Sequence, residues 1–272
     1  MSLSHFKVGT LLPEWRVTAE NDAIDSRNPI HDDSLARKLG FAGGLVPGVT
    51  VYGYLTHPLI AAFGAEFLEQ GFMSARFRRP IYAGQTVSVR TAVVANDEAS
   101  VALELNVSNP AGEVCAVCTA CFSGPSVPDK TLPPLAPLPE SRRPATPESL
   151  RDNPVFGTFY ADSEGGLAPA FLRGMSEDLP LYQHITHPAW LLRQANYLVD
   201  RNLALGPWIH VSSEVQHLAT VSAGVKITVR GKVVSLEERN GNDYADIDVV
   251  LCTDRPVMRV LHRVIYRMGA AT

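Results

Sequence analysis

One histidine in this 272-residue chain stands in a setting suited to moving protons. His31 follows Asn28-Pro29 in a polar turn, and a glycine turn, Gly43-Gly44-Leu45-Val46-Pro47-Gly48, lies downstream at the entry to an apolar run. An imidazole titrates near ~6.5, so a catalytic His31 predicts a rate change with pH near ~6–7. Asn28 and Pro29 are the residues that orient it. Proline fixes the turn, and an asparagine side chain bonds the backbone two residues on. Gly48 offers a different chemistry. At the first turn of a helix its N–H is unpaired and lies at the positive end of the dipole. That is a natural seat for a carbonyl oxygen that gains charge in a reaction. Asp25 is the carboxylate nearest the turn, whereas its neighbour Ser26 cannot act as a base at neutral pH. Thr56, two helical turns beyond Gly48, can hold a water or bond a carbonyl one turn back.

Elements must exist to hold these residues. Asp32 or Asp33 can cap a short helix through Leu39, with Gly40 as its stop. From Val49 to Phe63 apolar residues surround the helical wheel, which predicts a buried helix, with Pro58 expected to kink it. Strands follow. Ser74–Pro80 leads into a turn at Ala83-Gly84, and Thr86–Asn96 and Ser100–Ser108 alternate well. The segment Glu113–Phe122 carries Cys115, Cys118 and Cys121. Their spacing invites a metal reading, but small and β-prone neighbours make the segment a strand, which turns Cys118 away from Cys115 and Cys121. Buried free thiols then serve as small hydrophobes.

Composition narrows the function classes. Hydrophobic residues make up 46 % and charged residues 19 %, enough for a sizeable core, and the net charge of −4 lacks any basic stripe. Nucleic acid is therefore a poor partner. No apolar run approaches the ~18 residues of a membrane span, and the N-terminus lacks a signal pattern. A cytoplasmic protein that needs no cofactor or metal is expected.

The second half echoes the first at an offset of 140 residues. Ala83–Arg90 falls on Ala223–Arg230, Val93-Val94 on Val233-Val234, and the helix opening at Gly48 on one opening at Pro188. The proline-dense stretch between the halves reads as an extended linker that cannot sit inside a sheet. The expected domains are residues 1–123 with the candidate site, linker 124–147, and a second repeat 148–272. One long helix wrapped by one curved antiparallel sheet, twice over, satisfies this order. It resembles a double hotdog, an α+β fold.

The stretch Asp25–Gly48 is also similar to the active-site segment of the MaoC-like (R)-specific enoyl-CoA hydratases. Their Asp-x-Asn-Pro-x-His motif precedes a short helix and a His-Gly turn at the start of the central helix. Asn28, Pro29, His31 and Gly48 match this pattern. Ser26 stands at the family's aspartate and Pro47 at its second histidine. The resemblance extends to Arg76–Gly84, the strand and turn after the helix. It implies an acyl-thioester enzyme, with CoA or a carrier protein as the substrate's handle and a second copy of the chain as a candidate partner. In the family the histidine and aspartate share a water and move protons, and the glycine N–H holds the thioester oxygen. Here that assigns catalysis to His31, Asp25 and Gly48, and substrate contacts to Ser26, Asn28, Thr56 and Asn196. Arg76, Arg78 and Arg79 could meet CoA phosphates. Two alternatives accompany hydration. Some hotdog thioesterases carry a polar or acidic residue on the helix, where Asn196 lies, and a chain without a working base would only bind acyl thioesters. His184, His187, His210, Glu214 and His217 of the second half read as scaffold and pocket wall.

Overall fold

The computed structural model describes residues 3–23, 26–97, 99–122 and 131–269. Their principal strands are β1 (Trp15–Thr18), β2 (Phe72–Phe77), β3 (Thr86–Asn96), β4 (Val101–Ser108), β5 (Val114–Phe122), β6 (Val155–Asp162), β7 (Ile209–His217), β8 (Lys226–Arg239), β9 (Asn242–Cys252) and β10 (Pro256–Arg267). These form a single antiparallel sheet in the order β1-β3-β4-β5-β2-β7-β10-β9-β8-β6. Strands from the early part of the chain lie together, strands from the late part lie together, and β2 meets β7 at the seam. There Phe72 faces Gln216 and Arg76 faces Ser212. Alternation explains the long strands. Along β4 every second residue, Val101 to Val107, is buried.

Three helices matter to the site. Helix α1 (Asp33–Lys38) is capped by Asp32, whose Oδ1 accepts the Leu35 N–H at 2.8 Å. Helix α2 (Gly48–Phe63) continues through Pro58 and is buried on nearly every side, as its apolar run requires. Leu55 and Leu59 have no exposed surface, and each contributes about 2 kcal/mol by leaving water. Helix α3 (Pro188–Asn202) is amphipathic instead. It buries Leu191, Leu192, Ala195, Leu198 and Val199, while Arg193, Asn196, Tyr197 and Asp200 lie on its more open side. Both α2 and α3 pack against the sheet and against each other.

Two segments depart from what their sequence suggests. The described part of the linker runs beside β6, where the Thr158 N–H bonds the Ala136 carbonyl at 2.7 Å. Its end, Arg143–Pro144, then pairs in parallel with Leu203–Ala204. A strand of two residues tolerates the donor that proline lacks. Secondly, Ile209–His217 is a strand at the centre of the sheet, although its sequence carries no clear alternation. Cys115, Cys118 and Cys121 do lie on a strand, β5, as free thiols. Among the described residues no helix is long and apolar enough to cross a membrane.

Candidate active site

The turn that carries His31 is built from backbone bonds. Pro29 opens a single 3-10 turn, Pro29–His31, where its missing N–H costs nothing. The Leu45 N–H returns to the Ile30 carbonyl at 3.0 Å. His31 Nδ1 lies 2.7 Å from the Leu45 carbonyl. A carbonyl can only accept, so Nδ1 carries the proton and Nε2 is left as the basic nitrogen. The His31 carbonyl accepts from Asn21 Nδ2 at 2.8 Å. Gly44 passes so close that a Cβ there would sit 2.3 Å from the same oxygen, so only glycine fits. Its N–H is anchored on Asp33 Oδ1 at 2.7 Å.

Asn28 is fully engaged. Its Nδ2 donates to the Trp208 carbonyl at 2.9 Å and its Oδ1 accepts the Trp208 N–H at 3.3 Å. One side-chain amide thereby pins the loop before β7 against the histidine turn. The second link is ionic. Asp22 Oδ1 accepts from Thr50 Oγ1 of α2 at 2.8 Å, and its Oδ2 pairs with Arg193 of α3. Burial pushes the His31 pKa below its ordinary value. The Leu45 carbonyl and the Asp22 charge oppose that shift, and Arg193 adds to it.

Two spaces meet at this histidine. A cavity of about 170 Å³ is lined by His31, Gly48, Val51, Phe77, Asn196 and His210 among others. A cleft of about 910 Å³ adjoins it, with Asp22, Ser26, Arg193, Tyr197 and Arg201 in its wall. Asn28, His31, Pro47, Asn196 and Trp208 line both. Gly48 is the first residue of α2, and Pro47 before it offers no side-chain cap. Among the described residues no group accepts from its N–H. The cavity therefore holds an unprotonated imidazole nitrogen on one wall and a helix N-terminus on another.

His31, Gly48, Asn28 and Asn196 thus come together, and Ser26 lines the adjoining cleft. Asn196 Oδ1 is buried without a partner among the described residues. Arg78 and Arg79 line the smaller cavity. Thr56 lines neither space. It is fully buried, and its hydroxyl bonds the Gly53 carbonyl at 2.8 Å. Asp25 lies outside the described residues. Sequence reasoning missed Asp22, Arg193 and Trp208. Asp22 has no pattern around it, but Arg193 lies three residues before Asn196 on one helix, a spacing that puts both on one face.

The geometry can be set beside known proteins. No family model matches the sequence, and no curated protein matches it. Solved structures do match in shape. A chain described as a MaoC domain protein dehydratase from Chloroflexus aurantiacus superimposes with a TM-score of 0.72 at 14 % identity, covering 99 % of this chain and 98 % of that one. A conserved Mycobacterium tuberculosis protein described as a double hotdog gives 0.64 at 16 % identity, over 97 % and 98 %. An oleoyl thioesterase assignment from Lactobacillus plantarum gives 0.54 at 13 % identity, over 97 % and 98 %. At such identities the likeness speaks to architecture, and the protein has the double hotdog fold.

Proposed function

We propose that the protein is an acyl-thioester hydro-lyase that adds water to, or removes it from, an enoyl or 3-hydroxyacyl thioester. The observation that carries this is the His31 ring, held by Leu45 with Nε2 free in a cavity shared with the Gly48 N–H. Hydration needs a group that takes a proton from water and returns one to the α-carbon, and a donor for the thioester oxygen. In this reading His31 Nε2 takes the water proton as the oxygen adds to the β-carbon. The electrons move to the thioester oxygen, which accepts the Gly48 N–H. The imidazolium, favoured by the Asp22 charge, then protonates the α-carbon and the carbonyl reforms. The cavity of about 170 Å³ is several-fold smaller than the cleft of about 910 Å³, which suits a short acyl group. The cleft of about 910 Å³, with Arg193 and Arg201 in its wall, suits a CoA or carrier arm. The equivalent starts of α2 and α3, at Gly48 and Pro188, support reading the chain as two repeats, each with its own central helix.

The second reading is a thioesterase, in which water attacks the carbonyl. The unpartnered Asn196 Oδ1 between cavity and cleft favours it, since an amide there could hold the attacking water. Incubation with crotonyl-CoA and with butyryl-CoA separates the two. Hydration adds one water and leaves the thioester intact, whereas hydrolysis releases free CoA from the saturated substrate. Release of CoA with no hydration would overturn the proposal.

The carboxylates can be tested one at a time. If Asp25 completes an acid–base pair with His31, Asp25→Asn lowers turnover by ~100-fold or more. Full activity in that variant would place the partner elsewhere. Asp22→Asn has a different signature. Loss of the anion disfavours the imidazolium, so the acid limb of kcat/KM moves to lower pH. An unmoved limb would show that Asp22 does not act on His31.

A further inference from the structure

A line of three polar side chains runs through the sheet and ends at the candidate site. His210 and Ser213 lie on β7, and His262 lies opposite Ser213 on β10. A register shift between Arg263 and Val264 keeps the two imidazoles close, with ring centroids 4.3 Å apart. Ser213 Oγ is 2.8 Å from His210 Nε2 and 3.0 Å from His262 Nδ1. All three residues are buried, at 7 %, 1 % and 0 % exposed for His210, Ser213 and His262. Two nitrogens are left over. His262 Nε2 and His210 Nδ1 are buried with no partner among the described residues. His210 lines the 170 Å³ cavity, and a Cβ on Gly48 would sit 2.9 Å from its Nδ1. Glycine at position 48 is what lets the helix start approach this nitrogen.

Proton counting narrows the tautomers to two arrangements, each of which leaves one imidazole N–H and one lone pair without a partner among the described residues. One serine proton serves two imidazoles. If Ser213 donated to His262, His262 would carry its own proton on Nε2, an orphaned buried N–H. If Ser213 donates to His210 Nε2 and accepts from His262 Nδ1, the leftover atom on His262 is a lone pair and the leftover N–H is His210 Nδ1. Buried donors without partners are the rarer and costlier case. The second arrangement is favoured because its leftover N–H, His210 Nδ1, belongs to a residue lining the cavity, where a bound oxygen can accept it, whereas His262 lines neither space. Burial, and next the neighbouring His262, keep His210 neutral, offset only in part by the Ser212 carbonyl. A neutral ring of this kind donates a hydrogen bond without giving up its proton.

We propose that His210 Nδ1–H is a second hydrogen-bond donor to the thioester oxygen, acting beside the Gly48 N–H, with Ser213 and His262 as positioning residues that set its tautomer. This rests on the reading that an acyl thioester occupies the cavity, but not on which reaction follows. Negative charge grows on the same oxygen in an enolate and in a tetrahedral adduct. No proton is transferred through the line, since a cation at His262 would be uncompensated in its buried site.

The test joins a spectroscopic and a binding readout to turnover. Nitrogen-15 shifts of the wild-type histidines should show His210 as the Nδ1–H tautomer, and an Nε2–H tautomer would overturn the proposal. An S-(2-oxopentyl)-CoA ketone, which neither hydrates nor hydrolyses, should bind several-fold more tightly than S-butyl-CoA, which lacks the oxygen. His210→Phe should erase that ratio and lower turnover by about 100-fold, the scale of one oxyanion donor. Ser213→Ala leaves the fold less disturbed and should mix the His210 tautomers, with part of both losses. Ratio and turnover unchanged in His210→Phe would overturn the proposal while leaving the hydro-lyase reading intact. A wild type that turns over nothing, yet loses the ketone preference in His210→Phe, would support the donor and sink the hydro-lyase. A wild type that binds neither analogue would overturn both.

Discussion

His31→Ala should abolish hydration of an enoyl-CoA and leave its binding nearly intact. The side chain handles the proton directly in the hydro-lyase reading, and general acid–base groups are worth ~10²–10⁴-fold. Here one ring serves both the water and the α-carbon, so the upper end applies. Binding survives because the Asn28–Trp208 clamp and the Asp22–Arg193 pair, which shape the cleft, do not involve the His31 side chain. The thioesterase reading gives a graded result. His31 would only orient water while the Gly48 N–H supplies the larger electrostatic share, so hydrolysis falls but a residue persists. In a pure binder neither wild type nor variant turns anything over. Because burial pulls the His31 pKa down, the acid limb of the wild-type profile belongs below the ordinary value near 6.5, lower than an exposed imidazole would place it. A wild type that releases CoA from saturated thioesters and never hydrates an enoyl one would refute the main reading.

The histidine turn was legible because its information is local. Asn28, Pro29 and His31 act within four residues, and Asp32 caps the helix that follows it. Thr56 was half legible. The bond to a carbonyl one turn back is a property of the helix, and it keeps the hydroxyl out of the cavity. Long-range pairs left no such trace. Asp22 and Arg193 are 171 residues apart, and nothing in either neighbourhood names the other. Strand β7 shows how a pattern can mislead. Its buried positions include His210, Ser213 and His217, which give no apolar alternation from which a strand could be read. They are tolerated inside because each finds a partner. His210 and Ser213 bond each other, and His217 Nε2 meets the Tyr52 hydroxyl at 2.9 Å. The alternation survives, but in polar letters.

Those buried histidines begin to cost the protein stability well above the pH at which carboxylates titrate. His217 and His262 are both pulled down to about 3 by burial, against ~6.5 in the unfolded chain. Their contribution is therefore fully present above ~6.5 and is lost as pH falls toward about 3, because the unfolded state binds protons that the folded state refuses. Each such group adds about 1.36 kcal/mol per pH unit to the slope of stability, so the pair gives about 2.7. His210 and His187 shift in the same direction for the same first cause, burial. Glu177 contributes at lower pH. Burial alone would raise its carboxyl, but the nearby rings of His187, at 3.5 Å, and His57, at 3.1 Å, outweigh this and hold it at about 2, so its share is lost only below ~4.5. Down to about pH 3 the His217–His262 pair alone removes about 9.5 kcal/mol, comparable to the ~5–15 kcal/mol by which a domain is stable at neutral pH. Cooperative unfolding is expected at about pH 4–5, followed by far-ultraviolet circular dichroism and tryptophan fluorescence. Denaturant titrations should show stability beginning to fall below ~6.5 and the slope approaching about 2.7 kcal/mol per unit below about pH 5.5. His217→Phe, combined with Tyr52→Phe so that no hydroxyl is orphaned, should remove one proton from that slope, about 1.36 kcal/mol per unit. Stability that stays flat from pH 7 to 4 would mean these histidines titrate normally in the folded protein, and that the centre of the sheet is far wetter than its packing implies.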